Sequence, residues 1–134
     1  MNSHRNGAHE RRVRELVEAS DWAPYVSLSH EVLSREGEYE RISTAAVNAY
    51  VGPGLGGYLQ RLAEDLAANG LNAPMLVMQS TGGVLSFQHA VSHAVGSVTS
   101  GPAGGAMRAR FSRALAGNLI SSPMTWAGRA PTFV

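Results

Sequence analysis

Helical patterns alternate with short apolar runs along this chain, and two of those runs end at glycine-bearing turns. Residues 8–19 place Val13, Leu16 and Val17 on one face of a predicted helix, because positions three and four apart are neighbours there. Four segments have the apolar or β-branched composition of short strands: 25–28, 75–78, 95–99 and 118–121. The alternation predicts an α/β fold in which helices cover a sheet.

The longest helical pattern covers residues 43–69. Its second half carries a leucine stripe at helical period, formed by Leu55, Leu59, Leu62 and Leu66. Pro53 stands between glycines in the middle of the pattern, where a proline costs about 3 kcal/mol. We therefore expect two helices, or one with a sharp bend at Pro53. Asn69-Gly70 is a typical helix stop, and a polar connector over 31–39 precedes the pattern.

The run at residues 75–78 is continuously apolar, which suits a strand buried on both faces of a parallel sheet. Glycine-rich turns follow it at 79–83 and follow the next predicted strand at 100–105. Ligands of open α/β sheets bind at such strand ends, so both turns are candidate binding loops. The same glycines also suit tight strand-to-helix turns without a ligand, and the pattern alone favours that simpler interpretation. A helix at 87–94 and another at 103–116 complete the prediction.

The chain contains no cysteine and no lysine. This composition excludes disulfides, thiolate nucleophiles, cysteine zinc sites, lysine Schiff bases and Walker-type phosphate loops. Eleven arginines against ten acidic residues give a net charge of +1, which offers no electrostatic case for nucleic acid or an anionic membrane. Only two aspartates occur, Asp21 and Asp65.

The remaining candidates for catalysis or metal binding are weak. His89 and His93 stand four apart and would share a helix face, but no carboxylate lies between them, so we expect no metal site. His30 follows a predicted strand at the start of a loop, beside Glu31. No base partner is identifiable for three serines, namely Ser27, Ser29 and Ser80. The catalytic residues therefore stay unknown from the sequence.

Four stretches, in order, resemble the hydantoinase A and 5-oxoprolinase family. They are Tyr-Val-Ser-Leu-Ser-His-Glu-Val-Leu (25–33), Glu-Tyr-Glu-Arg-Ile-Ser-Thr-Ala-Ala-Val-Asn-Ala-Tyr-Val-Gly-Pro (38–53), Leu-Val-Met-Gln-Ser-Thr-Gly-Gly (76–83) and Ser-Gly-Pro-Ala-Gly-Gly (100–105). The likeness extends over residues 3–120, with Thr81 where the family usually has asparagine.

The resemblance implies a truncated part of an actin-like (ribonuclease H-like) ATPase lobe, with a mixed sheet and flanking helices. It implies ATP-dependent opening of a cyclic amide (hydantoin, N-methylhydantoin or 5-oxoproline), with Mg²⁺ accompanying ATP. Related members carboxylate acetone or acetophenone, and a hydantoinase B-type subunit or domain is an expected partner. The resemblance places eight residues at the nucleotide or substrate cleft: Gln79, Ser80, Gly82, Gly83, Ser100, Gly101, Gly104 and Gly105.

Two aspartate-bearing phosphate turns of that family have no counterpart in this sequence, which has no aspartate after Asp65. We therefore expect residues 1–121 to be a family fragment that is inactive by itself and binds no nucleotide alone. Residues 124–132 can be encoded so that a shifted reading frame spells Asp-Met-Gly-Gly-Thr-Ser-Thr-Asp, the second of those turns. A frame-shifted, irregular tail at 122–134 is our hypothesis, and sequencing the locus in all frames tests it.

The N-terminus has no apolar run behind its basic residues, so we expect no signal peptide. No stretch reaches the roughly 18 apolar residues of a membrane-spanning helix. These features predict a cytoplasmic protein. A non-enzymatic interaction module that uses the leucine stripe is a further alternative.

Overall fold

The computed structural model describes residues 2–20, 24–71 and 73–115. Within this part of the chain, helices dominate and a single hairpin supplies the sheet. The elements in chain order are α1 (Ala8–Glu18), α2 (Ser29–Val32), α3 (Glu38–Ala68), β1 (Leu76–Met78), β2 (Val84–Ser86), α4 (Phe87–Ser92), a 3-10 helix (Ala94–Ser97) and α5 (Ser100–Leu115). The structure is thus a helix-rich α/β fold, which confirms the predicted α/β class.

Helix α3 runs without interruption through Pro53, so the expected break into two helices is wrong. Buried residues flank the proline on both sides, with Asn48 and Gly52 before it and Leu59 after it. Packing at these positions offsets the cost of the missing N–H group. The predicted stop is confirmed, because the helix ends at Ala68 and Gly70 follows with a φ of +83°.

The sheet is an antiparallel hairpin, and the prediction of a parallel or mixed sheet is wrong for the described residues. Leu76 pairs with Ser86, Val77 with Leu85 and Met78 with Val84. The apolar run is not buried on both faces, since Leu76 is 60% exposed. The run pairs with the segment directly after the turn because Gly82, with a φ of +85°, closes a short hairpin loop.

Two predicted strands are absent from the described residues. Residues 24–28 lie outside any helix or strand, with Leu28 in an extended conformation, and residues 94–97 form the 3-10 helix instead of a strand. Hydrogen bonds from the side chains of Asn48 and Ser80 hold these two segments, which have no strand partner. Ser29 and His30 belong to the short helix α2 and not to a loop.

Helices α1 and α4 confirm the predictions for residues 8–19 and 87–94. The glycine turn predicted at 100–105 is wrong, because those residues form the first turns of α5. Pro102 is compatible with that position, since the N–H groups of a first helical turn have no intrahelical acceptor. The strand predicted at 118–121 and the tail at 122–134 lie outside the described residues.

The buried core of the described residues is small. Its apolar members are Leu28 and Leu59, each 5% exposed, and Ala90 and Ala94, which are fully buried. Polar side chains are buried with them, Asn48 completely and Gln79 at 9% exposure. No helix in the described ranges combines the length and the apolar character needed to cross a bilayer. Polar contacts therefore hold several of the helices and loops in place alongside the small apolar core.

Candidate functional site

A buried amide, Asn48, joins three distant segments of the chain. Its Nδ2 group donates to Ser27 Oγ and to Ser92 O at 3.0 Å each, and to Tyr25 Oη at 3.2 Å. Its Oδ1 atom accepts from the backbone N–H of Val95 at 3.0 Å. The three acceptors share two amide hydrogens, so the longest contact, to Tyr25, is the weakest. Asn48 thereby ties α3 to the extended segment 24–28 and to the start of the 3-10 helix.

Tyr25 forms the second link between these segments. Its hydroxyl donates to Val91 O at 2.7 Å, at the end of α4. Burial raises the pKa of the Tyr25 phenol, outweighing the lowering effects of the Asn48 hydrogen bond and the Arg14 charge. The ring lies directly against Gly52 of α3, where an added Cβ atom would overlap it. Glycine at 52 is therefore required by the close approach of Tyr25.

The loop of the β-hairpin is fixed to the 3-10 helix. Both the N–H and the hydroxyl of Ser80 donate to Gly96 O, at 2.6 and 2.5 Å. Inside the loop, Gln79 N donates to Gly83 O at 2.8 Å, and Gly82 N donates to Gln79 O at 2.9 Å. Four N–H and hydroxyl donors of the loop thus have acceptors, and these bonds define the shape of the loop.

The Gln79 side chain occupies the space beside the same glycine. Its amide oxygen lies so close to Gly96 that an added Cβ atom there would overlap it, and its Nε2 atom is 3.5 Å from Ser97 Oγ. A chain of contacts therefore runs from Asn48 through Val95 and Gly96 to the loop.

The structure brings the two predicted groups of cleft residues together. Gln79, Ser80, Gly82 and Gly83 lie in or next to the hairpin loop, and the four from the second motif lie in the first turns of α5: Ser100, Gly101, Gly104 and Gly105. A Cβ atom at Gly82 would lie 3.2 Å from Met107 Cγ, and one at Gly104 would lie 3.7 Å from Met78 Cγ.

These contacts leave one side of α5 open. An added Cβ atom at Gly101 or at Gly105 would meet nothing within 4 Å. Because these glycines stand four apart, they share a face of the helix. The hairpin loop and this face of α5 form the candidate site, whose binding role stays a prediction.

The sequence prediction did not single out Asn48, Tyr25 or Gly52. Asparagine is a poor residue for a helix interior, and that mismatch within a strong helical pattern was the available signal. Its partners come from segments 21 to 47 residues away, which no local pattern specifies.

A second polar cluster surrounds Glu10 of α1. Its carboxylate accepts from Ser29 Oγ at 2.7 Å and from His30 N at 3.2 Å, and it lies 2.9 Å from His30 Nδ1. Burial alone would raise the pKa of Glu10, but hydrogen bonds from His30, Ser29 and Ser3 outweigh it and lower the pKa to about 2. His30, with 12% of its side chain exposed, is thus a partner of Glu10 and not a loop histidine.

Acid should weaken the protein through this cluster. The folded pKa of Glu10 lies below the ordinary glutamate value of about 4.3, so its stabilisation is complete above about pH 5 and is lost as pH falls towards 2. The carboxylate is 26% exposed, and we expect a loss of only about 1–2 kcal/mol in the free energy of unfolding. Urea unfolding between pH 5 and pH 2.5 measures it.

Two glutamine variants separate this effect from general acid destabilisation. Glu10→Gln should flatten the pH dependence, whereas Glu15→Gln, at a surface pair with Arg12, should leave it unchanged. Equal pH slopes in the wild type and Glu10→Gln would contradict the assignment.

His89 and His93 contact a side chain and a backbone carbonyl. His89 Nδ1 lies 3.0 Å from Ser86 Oγ, and His93 Nε2 lies 3.2 Å from Glu31 O. Within the described ranges, no three metal-ligating side chains of the histidine or carboxylate type come together.

Comparison with known families identifies the class of protein. The family model described as hydantoinase/oxoprolinase matches residues 41–124, which include most of α3, the hairpin and α5. The chain belongs to the hydantoinase/oxoprolinase family, and the resemblance drawn from its motifs is confirmed.

Three curated relatives agree with this membership. An uncharacterized protein of Methanocaldococcus jannaschii is 35% identical over 90% of this chain and 18% of its own length. Caprolactamase subunit alpha of Pseudomonas jessenii is 37% identical over 74% of this chain and 14% of its own. Acetophenone carboxylase gamma subunit of Aromatoleum aromaticum is 34% identical over 58% of this chain and 11% of its own length. The chain spans less than a fifth of each relative. No solved structure matches it.

Proposed function

We propose that this chain forms part of the nucleotide or substrate cleft of an ATP-dependent hydrolase that opens cyclic amides such as hydantoin, N-methylhydantoin or 5-oxoproline. The observation that carries the proposal is the contact of two family motifs, the hairpin loop and the first turns of α5. Gly82 lies against Met107, and Gly104 against Met78. The relative named caprolactamase subunit alpha supports the amide-opening class.

The geometry suits a binding role for these residues. Ser80 and Gln79 hold the loop rigid through Gly96, which avoids the entropy cost of ordering the loop when a ligand binds. Gly101 and Gly105 leave one face of α5 open, so a ligand can approach the helix backbone closely there. The actin-like lobe remains part of this proposal.

ATP with Mg²⁺ would supply the activation of the amide carbonyl by phosphorylation. The residues that fit such a ligand here are small and uncharged, and the described part of this site contains no carboxylate for a metal ion. The aspartate-bearing turns of the family would have to hold the metal. We propose that residues 1–121 act as one segment of the complete site and, without those turns, do not catalyse turnover.

An ATP hydrolysis assay of the purified 134-residue chain tests this part of the proposal. We expect no ATP hydrolysis above the buffer rate with hydantoin, N-methylhydantoin or 5-oxoproline present. Mass spectrometry of the amide in the same samples should find no ring-opened product. Cyclic-amide-stimulated ATP hydrolysis by this chain would contradict the proposal that it is inactive alone.

A ketone carboxylase fragment is the second candidate function. The relative named acetophenone carboxylase gamma subunit is the observation that favours it. In the complete enzyme, bicarbonate consumption separates the two candidates, because carboxylation of acetone or acetophenone consumes it and amide opening does not. In either case we propose a hydantoinase B-type subunit or domain as the partner, within a cytoplasmic enzyme.

The leucine stripe offers little support for an interaction module. Leu59 is 5% exposed, and Leu55, Leu62 and Leu66 are half-buried. Gly56, beside the stripe, packs against Val91 of α4, where an added Cβ atom would lie 3.2 Å from Val91 Cγ1. This part of α3 therefore packs against the chain itself.

A further inference from the structure

The outer face of α3 carries almost no charge, although it faces solvent. It consists of seven exposed positions spaced three or four residues apart, namely Tyr39, Ile42, Ala46, Tyr50, Gly54, Tyr58 and Arg61. The helix buries Asn48, Gly52 and Leu59 on its other side. Residues 42–60 contain no acidic residue, no basic residue and no histidine. Surface helices usually carry charged and polar residues on the side away from the core, so an uncharged outer face indicates a surface that another molecule covers.

Tyrosines and small residues make up the centre of this face. Tyr50 is 88% exposed, Tyr39 is 81% exposed, and Ile42 lies between them at 66%. Tyrosine that is enriched where charge is depleted is typical of the core of a protein–protein interface. Ala46 and Gly54 stand four residues before and after Tyr50, and an added Cβ atom at Gly54 would meet nothing within 4 Å. A second helix can therefore approach the backbone closely on both sides of the Tyr50 ring.

The outer face has the same spacing in both directions from Tyr50. Four residues away stands a small residue, Ala46 or Gly54, and eight residues away stands a large one, Ile42 or Tyr58. Two antiparallel copies of α3 that meet at Tyr50 therefore place Ala46 of each copy opposite Gly54 of the other. They also place Ile42 opposite Tyr58. The face is thus complementary to itself under a twofold rotation, which is the requirement for a symmetric dimer.

Charge at the two ends of the face favours the antiparallel arrangement. Arg61 Nη1 lies 3.6 Å from the position of an added Cβ atom at Gly57, so the guanidinium group folds back along the helix. Glu38 and Glu40 lie in the first turn of α3, at the other end. An antiparallel pair brings Arg61 of each copy to this acidic turn and to the Tyr39 ring, where a cation–π contact is favourable. A parallel pair would bring like charges together at both ends.

The outer face is large enough for a reversible dimer. From residue 39 to residue 61 it extends about 33 Å along the helix, at about 1.5 Å per residue. A buried tyrosine contributes about 150–250 Å², so the three exposed tyrosines and their neighbours give a total of about 1,000 Å² over two copies. This area lies at the lower end of the range for specific interfaces, where association is weak and reversible.

We propose that the outer face of α3 is a homodimer interface, in which a second copy of this chain packs its own α3 antiparallel and at a small crossing angle. The twofold axis passes at Tyr50, whose two rings pack in the room left by Ala46 and Gly54 of the other copy. None of the candidate-site residues of the hairpin loop or of α5 belongs to this face. The inference therefore does not depend on the proposed function, and the two fail separately.

Sedimentation equilibrium of the purified 134-residue chain tests the association. We expect a monomer–dimer equilibrium with a Kd of about 10–100 µM, as an interface of this size implies. Tyr50→Glu places two carboxylates at the axis and should weaken the dimer by at least about tenfold. Phe111→Glu adds the same charge at another exposed aromatic residue, on α5, and should leave the Kd unchanged. Circular dichroism of each variant confirms that it is folded.

Disulfide cross-linking tests the register. The chain contains no cysteine, so each single substitution reports one contact. Tyr50→Cys should cross-link to itself, because the axis brings the two copies of this position together. Ala46→Cys alone should not cross-link, since its two copies lie about 12 Å apart along the helices. A mixture of Ala46→Cys and Gly54→Cys should instead form the mixed dimer.

A wild-type chain that stays monomeric well above this Kd range would overturn the proposal. So would a dimer that Tyr50→Glu leaves intact, or one that Phe111→Glu weakens equally, because the contact would then lie elsewhere on the chain. Efficient self-cross-linking of Ala46→Cys would contradict the antiparallel register, since only a parallel pair brings the two copies of that position together.

Discussion

Replacing Asn48 by alanine is expected to lower the free energy of unfolding by about 3 kcal/mol. The substitution removes the fully buried Asn48 amide and leaves the N–H of Val95 and the carbonyl of Ser92 without the hydrogen bonds it makes to them, and each unsatisfied buried group costs about 1–3 kcal/mol. It also leaves a small cavity beside Ser27. Urea unfolding followed by circular dichroism measures the change.

Asn69→Ala is the matched control. Asn69 also donates from its side-chain amide to a backbone carbonyl, Asp65 O at 2.7 Å, but at the exposed end of α3. We expect this variant to lose less than about 1 kcal/mol, because water replaces the bond. Equal losses of unfolding free energy in the two variants would contradict the stabilising role of the buried Asn48 hydrogen bonds.

Replacing Gly52 by alanine should destabilise the protein by about 2 kcal/mol, although alanine is the better helix former. A Cβ atom at 52 would overlap the Tyr25 ring, so the ring has to leave and its bonds to Val91 and Asn48 are lost. Gly54→Ala, two residues along the same helix, should instead raise the free energy of unfolding by up to about 1 kcal/mol, because an added Cβ atom there meets nothing within 4 Å.

The Tyr25 ring can be tested as the cause in a double-mutant cycle. In a Tyr25→Ala background, Gly52→Ala should no longer destabilise and should resemble Gly54→Ala. A cost of Gly52→Ala that persists without the tyrosine ring would contradict the packing described for α3. Chemical denaturation of the four proteins gives the coupling free energy directly.

Local patterns predicted α1, α4, the second half of α3 and most of α5, because these helices depend on neighbours three or four residues apart, but they did not predict α2 or the first turns of α5. The leucine stripe predicted the second half of α3, and Asn69-Gly70 predicted its end. The expected break at Pro53 was wrong because Asn48 and Leu59 pack on either side of it. Tertiary packing overrode an unfavourable residue at this point.

The strand predictions failed for a different reason. A short apolar run such as 76–78 carries no information about its partner, so a parallel and an antiparallel pairing are equally compatible with it. At 25–28, strand-like composition belongs to a segment that is held by side chains, namely the bonds of Tyr25 and Ser27 to Asn48. Long-range contacts of this kind have no signature in local sequence.

The candidate site, too, was predicted from the sequence only in part. Resemblance to the family predicted cleft residues in the hairpin loop and in α5, and that role stays a prediction, whereas the hydrogen bonds that position the loop were not predicted. These bonds link Asn48 through Val95 and Gly96 to Ser80. Each step joins a different element, so only the folded chain reveals that α3 helps to position the loop.

The claim that the hairpin loop and α5 form one binding surface is tested most directly in a complete family enzyme into which this segment is exchanged, because we expect the chain alone to bind no nucleotide. The exchanged segment is labelled with ¹⁵N, and the enzyme is titrated with Mg²⁺ and a non-hydrolysable ATP analogue. The account predicts saturable amide shifts at both residues 79–83 and residues 100–105, with a common affinity. Gly105→Val, on the open face of α5, should weaken both sets of shifts together, whereas Gly54→Ala should leave them unchanged. Shifts at only one of the two motifs, at neither, or unaltered by Gly105→Val would contradict it.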